Sequence, residues 1–233
     1  MDKSIPYLLT LASDMEGTDR FLDSLENTTP MEHIPVQFQP WNNKILAKNI
    51  ANLYCHDIPF PGHFNKWKYV PEGLDLERYV IFSDTSDVVF QEGLPRLEYD
   101  LYLAPENVDH RNTMWKEHIE KFPSLAPLMD REVLNCGTFA MKVKTMYEYR
   151  DFIYSFDKEG YGSWEWKLEQ IYFNMFVYLR KDLSRVLDRT IFCPLFANTF
   201  HGVKKAKDGI WEDNGKIISC VHANGDENLK KQL

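Results

Sequence analysis

Apolar positions fall in short runs separated by polar clusters, and the spacing within each run distinguishes strand from helix. Pro6 to Ala12 (PYLLTLA) predicts an opening strand. Asp19 to Glu26, with Phe21, Leu22 and Leu25 on one side, predicts a short helix. Val36-Gln37-Phe38 alternates as a second strand would, and Leu46, Ile50, Leu53 and Tyr54 recur at helical spacing from Asn43 onward. Pro59 to Gly62 reads as a loop. Tyr79-Val80-Ile81-Phe82 is a run of β-formers long enough for one buried strand. It breaks at Asp84-Thr85-Ser86-Asp87 and resumes as Val88-Val89-Phe90.

After a turn at Gly93 and Pro95, Tyr99 to Ala104 predicts a strand and Pro105 to Asn112 a loop. Residues 113–129 read as helix and loop, punctuated by Pro123 and Pro127. Val133 to Met141 is apolar apart from a polar break at Asn135 to Gly137, where the glycine suggests close backbone approach. Met146, Tyr149, Ile153 and Phe156 mark one helix, and Leu168, Ile171, Tyr172, Met175 and Leu179 another. The two are joined by a glycine-containing stretch from Lys158 to Ser163. In the second helix Gln170 and Asn174 share a face next to the apolar stripe, and Glu169 lies near the start. Ile191 to Ala197 reads as a strand that Pro194 confines to an edge or bulge. Asn214-Gly215 is a hairpin turn leading into a last core strand, Ile217 to Val221, which ends on His222-Ala223-Asn224-Gly225.

Composition narrows the picture. The 233 residues suit one domain, residues 1–233, of α/β class, and 44% hydrophobic with 14% aromatic residues is enough for a sizeable core. A net charge of −8 argues against broad electrostatic binding to nucleic acid or anionic membrane. No apolar run reaches the ~18 residues of a membrane span, and the N-terminus reads as a strand and not as a signal peptide. The four cysteines, Cys55, Cys136, Cys193 and Cys220, are widely separated and form no CxxC. Free thiols in a reducing compartment, and so a cytoplasmic location, are the expectation.

Three places carry candidate chemistry. Asp84 and Asp87 stand at the end of a core strand, where α/β sheets put their ligands. There they either hold a divalent cation, which takes oxygen ligands, or form an acidic turn capped by Thr85 and Ser86. Gly62 followed by Lys66 either delivers an ammonium to a phosphate or is ordinary surface. His222, at a strand end and followed by a turn and then Lys230 and Lys231, is either a polar edge residue or part of a site. Asp14-Met15-Glu16-Gly17-Thr18 looks superficially like the nucleophile loop of haloacid-dehalogenase-type phosphatases. It lacks the second aspartate, and an acidic helix N-terminus explains it more simply.

Taken in order, these fragments resemble metal-dependent glycosyltransferases of the GT-A type. The likeness is greatest to the glycosyltransferase domain of procollagen lysyl hydroxylases and related collagen-glycosylating enzymes. LASDMEGTDRFLDSL resembles that family's first strand and nucleotide loop, and Gly62 to Lys66 its G-x-x-x-K. Phe82 to Val88 is similar to its F-x-D-S-Y-D-V metal motif, and Leu134-Asn135-Cys136-Gly137 to its L-N-S-G. Glu169-Gln170 is similar to an acid-Gln pair opening a late helix, with Trp164-Glu165-Trp166-Lys167 where the family has a run of aspartates. Val221 to Gly225 is similar to V-H-G-N-G.

The resemblance spans about residue 7 to residue 230. It implies one Rossmann-like GT-A domain, a mixed and mostly parallel central sheet flanked by helices. It implies transfer of a sugar from a nucleotide sugar, a UDP-sugar, to a hydroxyl acceptor on a sugar, protein or glycan. Asp84, Asp87 and His222 would hold Mn²⁺, or Mg²⁺ in its place. Lys66 and Lys230 would face the donor's phosphates, Leu11 and Ser13 the base and ribose, Asn135 and Gly137 the sugar, and Gly225 would also bind the donor. Gln170 would face the sugar, and Glu169 would stabilise positive charge developing at the anomeric carbon. The alternatives are a metal-dependent phosphatase or sugar nucleotidyltransferase, and a non-catalytic sugar-nucleotide-binding module.

Overall fold

The computed structural model describes residues 6–11, 18–25, 53–56, 67, 70, 72–84, 87–113, 115–157, 166–195, 202–223 and 226–233. Its strands are β1 (Tyr7–Leu11), β2 (Leu53–His56), β3 (Tyr79–Asp84), β4 (Val88–Phe90), β5 (Leu101–Leu103), β6 (Pro105–Asp109) and β7 (Glu132–Leu134). They continue with β8 (Thr138–Lys142), β9 (Arg185–Leu187), β10 (Phe192–Pro194), β11 (Val203–Lys205), β12 (Trp211–Asp213), β13 (Lys216–Ile217) and β14 (Cys220–His222). The main sheet has the order β2-β1-β3-β8-β5-β9. Neighbours are parallel except around β8, which runs against both β3 and β5.

The run Tyr79 to Phe82 fills the role its pattern predicts. Because successive side chains of a strand point to opposite faces, Val80 and Phe82 enter one core while Ile81 enters the other. On the first face Phe82 stacks on Phe139 at 5.0 Å between ring centroids, and Phe139 on Phe173 at 4.8 Å. Helices Val143–Asp157 and Trp166–Leu179 cover this face through Tyr149, Ile153, Ile171 and Phe176. Each of these large side chains, fully removed from water, stabilises the fold by roughly 1.5–3 kcal/mol. Helix Thr18–Ser24 covers the other face with Phe21, which packs on Phe90. The fold is thus a mixed α/β arrangement with helices on both sides of the sheet.

A second sheet, β10-β14-β4, positions the site. Strand β3 ends at Asp84 in the main sheet, and the chain resumes at Val88 in the second. Asp84 and Asp87 therefore flank the step from one sheet to the other. Pro194 lies on β10, an outer strand of this second sheet, as its missing N–H requires.

The hairpin at Asn214-Gly215 forms as predicted, joining β12 to β13 with φ of 51° and 81° at its two central residues. Elsewhere the structure corrects the sequence reading. Leu53 to His56 is a strand paired in parallel with β1, not the end of a helix: four residues of apolar pattern fit either state, and sheet pairing decides. Pro105 to Asn112 is not a loop. It forms β6, paired to β7 with a register shift and with Asn107 at φ 56°, followed by a 3₁₀ turn from His110 to Asn112. Val133 to Met141 divides at its polar break into β7 and β8, which belong to different sheets. Ile217 to Val221 likewise divides into β13 and β14. The expected strand at Val36 to Phe38, the helix from Asn43 up to residue 52, the loop at Pro59 to Gly62 and the Lys158 to Ser163 stretch lie outside the described residues. Among the described residues no helix is long and apolar enough to cross a membrane, and Cys136, Cys193 and Cys220 are free thiols.

Candidate metal centre

Long-range strand pairing brings His222 to Asp84 and Asp87, which lie far from it in sequence but close to each other. Strand β14 runs antiparallel to β4, with His222 opposite Val88. The Ala223 N–H donates to the Asp87 carbonyl at 2.8 Å, which clamps the two ends together. On the main sheet, the Asp84 N–H donates to the Gly137 carbonyl at 2.9 Å. His222 Nε2 consequently lies 3.4 Å from Asp87 Oδ2 and 4.0 Å from Asp84 Oδ2. One ligand atom from each residue falls within 4.8 Å of the other two. The side chains of Asp87 and His222 are only 7% and 4% exposed, whereas that of Asp84 is 35% exposed, so the cluster opens to solvent on the Asp84 side.

The imidazole is oriented from behind. Asn135 Oδ1 accepts from the backbone N–H groups of Gly137 (3.0 Å) and Thr138 (3.3 Å), which identifies that atom as the oxygen. His222 Nδ1 lies 3.2 Å from the same oxygen and so carries the proton. Nε2 is then left facing two carboxylates. A lone pair in that position needs a cation or a proton between it and the oxygens. Burial lowers the pKa of His222, but Asp87, Asp84 and Glu106 outweigh it and hold the pKa above the usual histidine value. The set of two carboxylates and one imidazole nitrogen fits a divalent cation.

Glu106 extends the network and was missed by the sequence reading, which placed it in a loop. Its Oε1 accepts from Asn135 Nδ2 at 2.9 Å and from Gln170 Nε2 at 2.7 Å. Burial pushes its pKa up, against the pull of these two amides and His222. Gln170 Oε1 in turn accepts from the Cys136 thiol at 3.6 Å. Asn174, one turn further along the helix, bonds both the N–H and the carbonyl of Leu134. An acid directly after a short core strand was the available signal for Glu106, but nothing local says that it points inward.

The expected site residues thus divide into groups. Asp84, Asp87 and His222 meet, Asn135 and Gly137 touch them, and Gln170 joins through Glu106. Leu11 is paired with Asp84 across β1 and β3. Glu169 is buried, and its Oε1 accepts from Trp67 Nε1 at 3.0 Å on the aromatic side of the core. Lys230 belongs to the short helix Glu227–Lys230, where its carbonyl accepts from Arg20 Nη1. Ser13, Lys66 and Gly225 lie outside the described residues.

No protein-family model and no curated protein matches the chain. Among solved structures it is similar to the apo form of the glycosyltransferase GlyE of Streptococcus pneumoniae TIGR4, with a TM-score of 0.45 and 16% sequence identity. The similarity covers 82% of this chain and 47% of that one, so the chain spans about half the length of that protein.

Proposed function

We propose that this chain is a metal-dependent glycosyltransferase with a GT-A arrangement, moving a sugar from a UDP-sugar to a hydroxyl acceptor. The observation that carries the reading is the convergence of Asp84, Asp87 and His222, three residues from two motifs, with one ligand atom from each within 4.8 Å of the others. The order of the sequence motifs supports it, and so does a site built where a core strand ends.

Asp84, Asp87 and His222 would hold Mn²⁺, or Mg²⁺ in its place. The bound cation would supply a Lewis acid that stabilises negative charge on the departing nucleoside diphosphate. The chain's own contribution is to hold the ligands ready. Asn135 keeps the His222 proton on Nδ1, and Asp87 is buried so that its charge is weakly screened. Lys66 and Lys230 are the proposed phosphate contacts, Leu11, Ser13 and Gly225 would contact the donor, and Gln170 would face the sugar.

The test is thermal unfolding with a panel of nucleotide sugars, with and without Mn²⁺, followed by product analysis. A UDP-sugar should raise the unfolding midpoint only when metal is present, by mass action. Turnover should release nucleoside diphosphate. Release of phosphate, monophosphate or pyrophosphate favours the phosphatase or nucleotidyltransferase alternative, and undiminished turnover in excess EDTA overturns the proposal.

A further inference from the structure

We infer that Glu106 is a positioning residue, holding the Asn135 amide so that its oxygen faces His222 and the imidazole presents Nε2 to Asp84 and Asp87. The inference rests on the metal-centre reading above and adds a residue that no sequence motif marked. A carboxylate only accepts hydrogen bonds, so both amides that meet Glu106 Oε1 must turn their NH₂ groups toward it. For Asn135 this leaves the oxygen on the opposite side, where His222 Nδ1, Gly137 N and Thr138 N converge. The direction of each hydrogen bond is then set from Glu106 outward: carboxylate, amide, imidazole, ligand atom.

The burial of each link makes the chain stiff. Glu106 is 4% exposed, Asn135 1% and His222 3%. A reversed amide would set NH₂ against the imidazole N–H and two backbone N–H groups without water to relieve it. Glu106 also ties helix Trp166–Leu179 to the sheet through Gln170. A purely structural tie of that kind would alter stability but not the imidazole.

The experiment measures Mn²⁺ affinity of the full chain by electron paramagnetic resonance of the free ion, using Mn²⁺ alone as the probe. Imidazole ¹⁵N spectra of the metal-free protein report the His222 tautomer. E106L removes the acceptor and should weaken Mn²⁺ binding about tenfold or more, the usual effect of losing such a partner, with loss of the Nδ1–H form. N135D alone sets two carboxylates against each other and should also bind more weakly. The exchange E106Q/N135D reverses the hydrogen bond between these two positions, with the Gln170 amide turning its oxygen toward the new NH₂ group, and keeps an oxygen against His222. It should restore affinity to within about threefold of the wild type. E106L that is folded and binds Mn²⁺ as the wild type does overturns the inference and leaves the metal reading intact. If E106L does not fold, the exchange decides, and a folded exchange protein that binds tenfold more weakly overturns it. A wild type that takes up no Mn²⁺ ends the metal reading and this inference together.

Discussion

Gly137 leaves the room that His222 fills: a Cβ on Gly137 would stand 2.8 Å from His222 Nδ1 and 2.9 Å from Asp84 Oδ2. The missing side chain is therefore what lets the imidazole approach the β7–β8 connection. Gly137→Ala must push His222 or Asp84 aside, at about 1–3 kcal/mol of stability for overpacking. A fall in Mn²⁺ affinity of tenfold or more should accompany it. Unchanged affinity in a Mn²⁺ titration would show that the imidazole is free to move.

Asp87→Asn separates a metal ligand from an acidic turn. The change is isosteric, and the clamp between the Ala223 N–H and the Asp87 carbonyl is made by backbone and is kept. Calorimetry should find the unfolding midpoint within a few degrees of the wild type. If the proposed function holds, glycosyl transfer should fall about a hundredfold, the ~3 kcal/mol commonly lost with one electrostatic group at a transition state. Near-normal turnover at limiting metal would return these aspartates to the role of a turn.

Glu169→Gln asks whether that acid stabilises charge at the anomeric carbon or anchors the core. Trp67, 1% exposed and packed edge-on against Tyr149, donates to it from within the aromatic cluster. A glutamine oxygen can accept the same bond, so stability should change by only about 1 kcal/mol and transfer less than tenfold. A loss of several hundredfold in kcat with the fold intact would assign Glu169 to the chemistry.

Acid should weaken the fold through His110. Burial pushes its pKa down to about 4, against Asn174 and Asp109, which favour the charged form. Among the described residues its Nδ1 has no hydrogen-bond partner. A base whose pKa is lower in the folded state than in the unfolded chain takes up its proton on unfolding. The resulting stability is complete above the unfolded value of about 6.5 and is lost as pH falls toward about 4, a total of roughly 3 kcal/mol. Most carboxylates titrate below this window's upper half, and His222, with its pKa raised, changes its contribution only above about 6.5. His110→Gln should therefore show a shallower fall in unfolding midpoint than the wild type between pH 6.5 and 5. Parallel curves would mean that His110 is not neutral for lack of solvent.

What the sequence determined by itself is local. The β-formers from Tyr79 to Phe82 specified a strand buried on both faces, and Asn214-Gly215 specified a hairpin because few other pairs accept positive φ at two successive residues. The apolar spacing from Met146 and from Leu168 specified the two helices over the aromatic core. Asp84, Asp87 and His222 were legible as strand-end polar residues. Their meeting was not, because it depends on β14 pairing with β4 in the register that sets His222 opposite Val88. Pairing between distant strands leaves no periodic trace in either of them. Glu106 was illegible for the same reason: only the pairing of β6 with β7 and the packing of helix Trp166–Leu179 turn that carboxylate inward to Asn135 and Gln170. Leu53 to His56 shows the limit from the other side, since its few apolar residues suit a helix or a strand and the open edge of β1 decided.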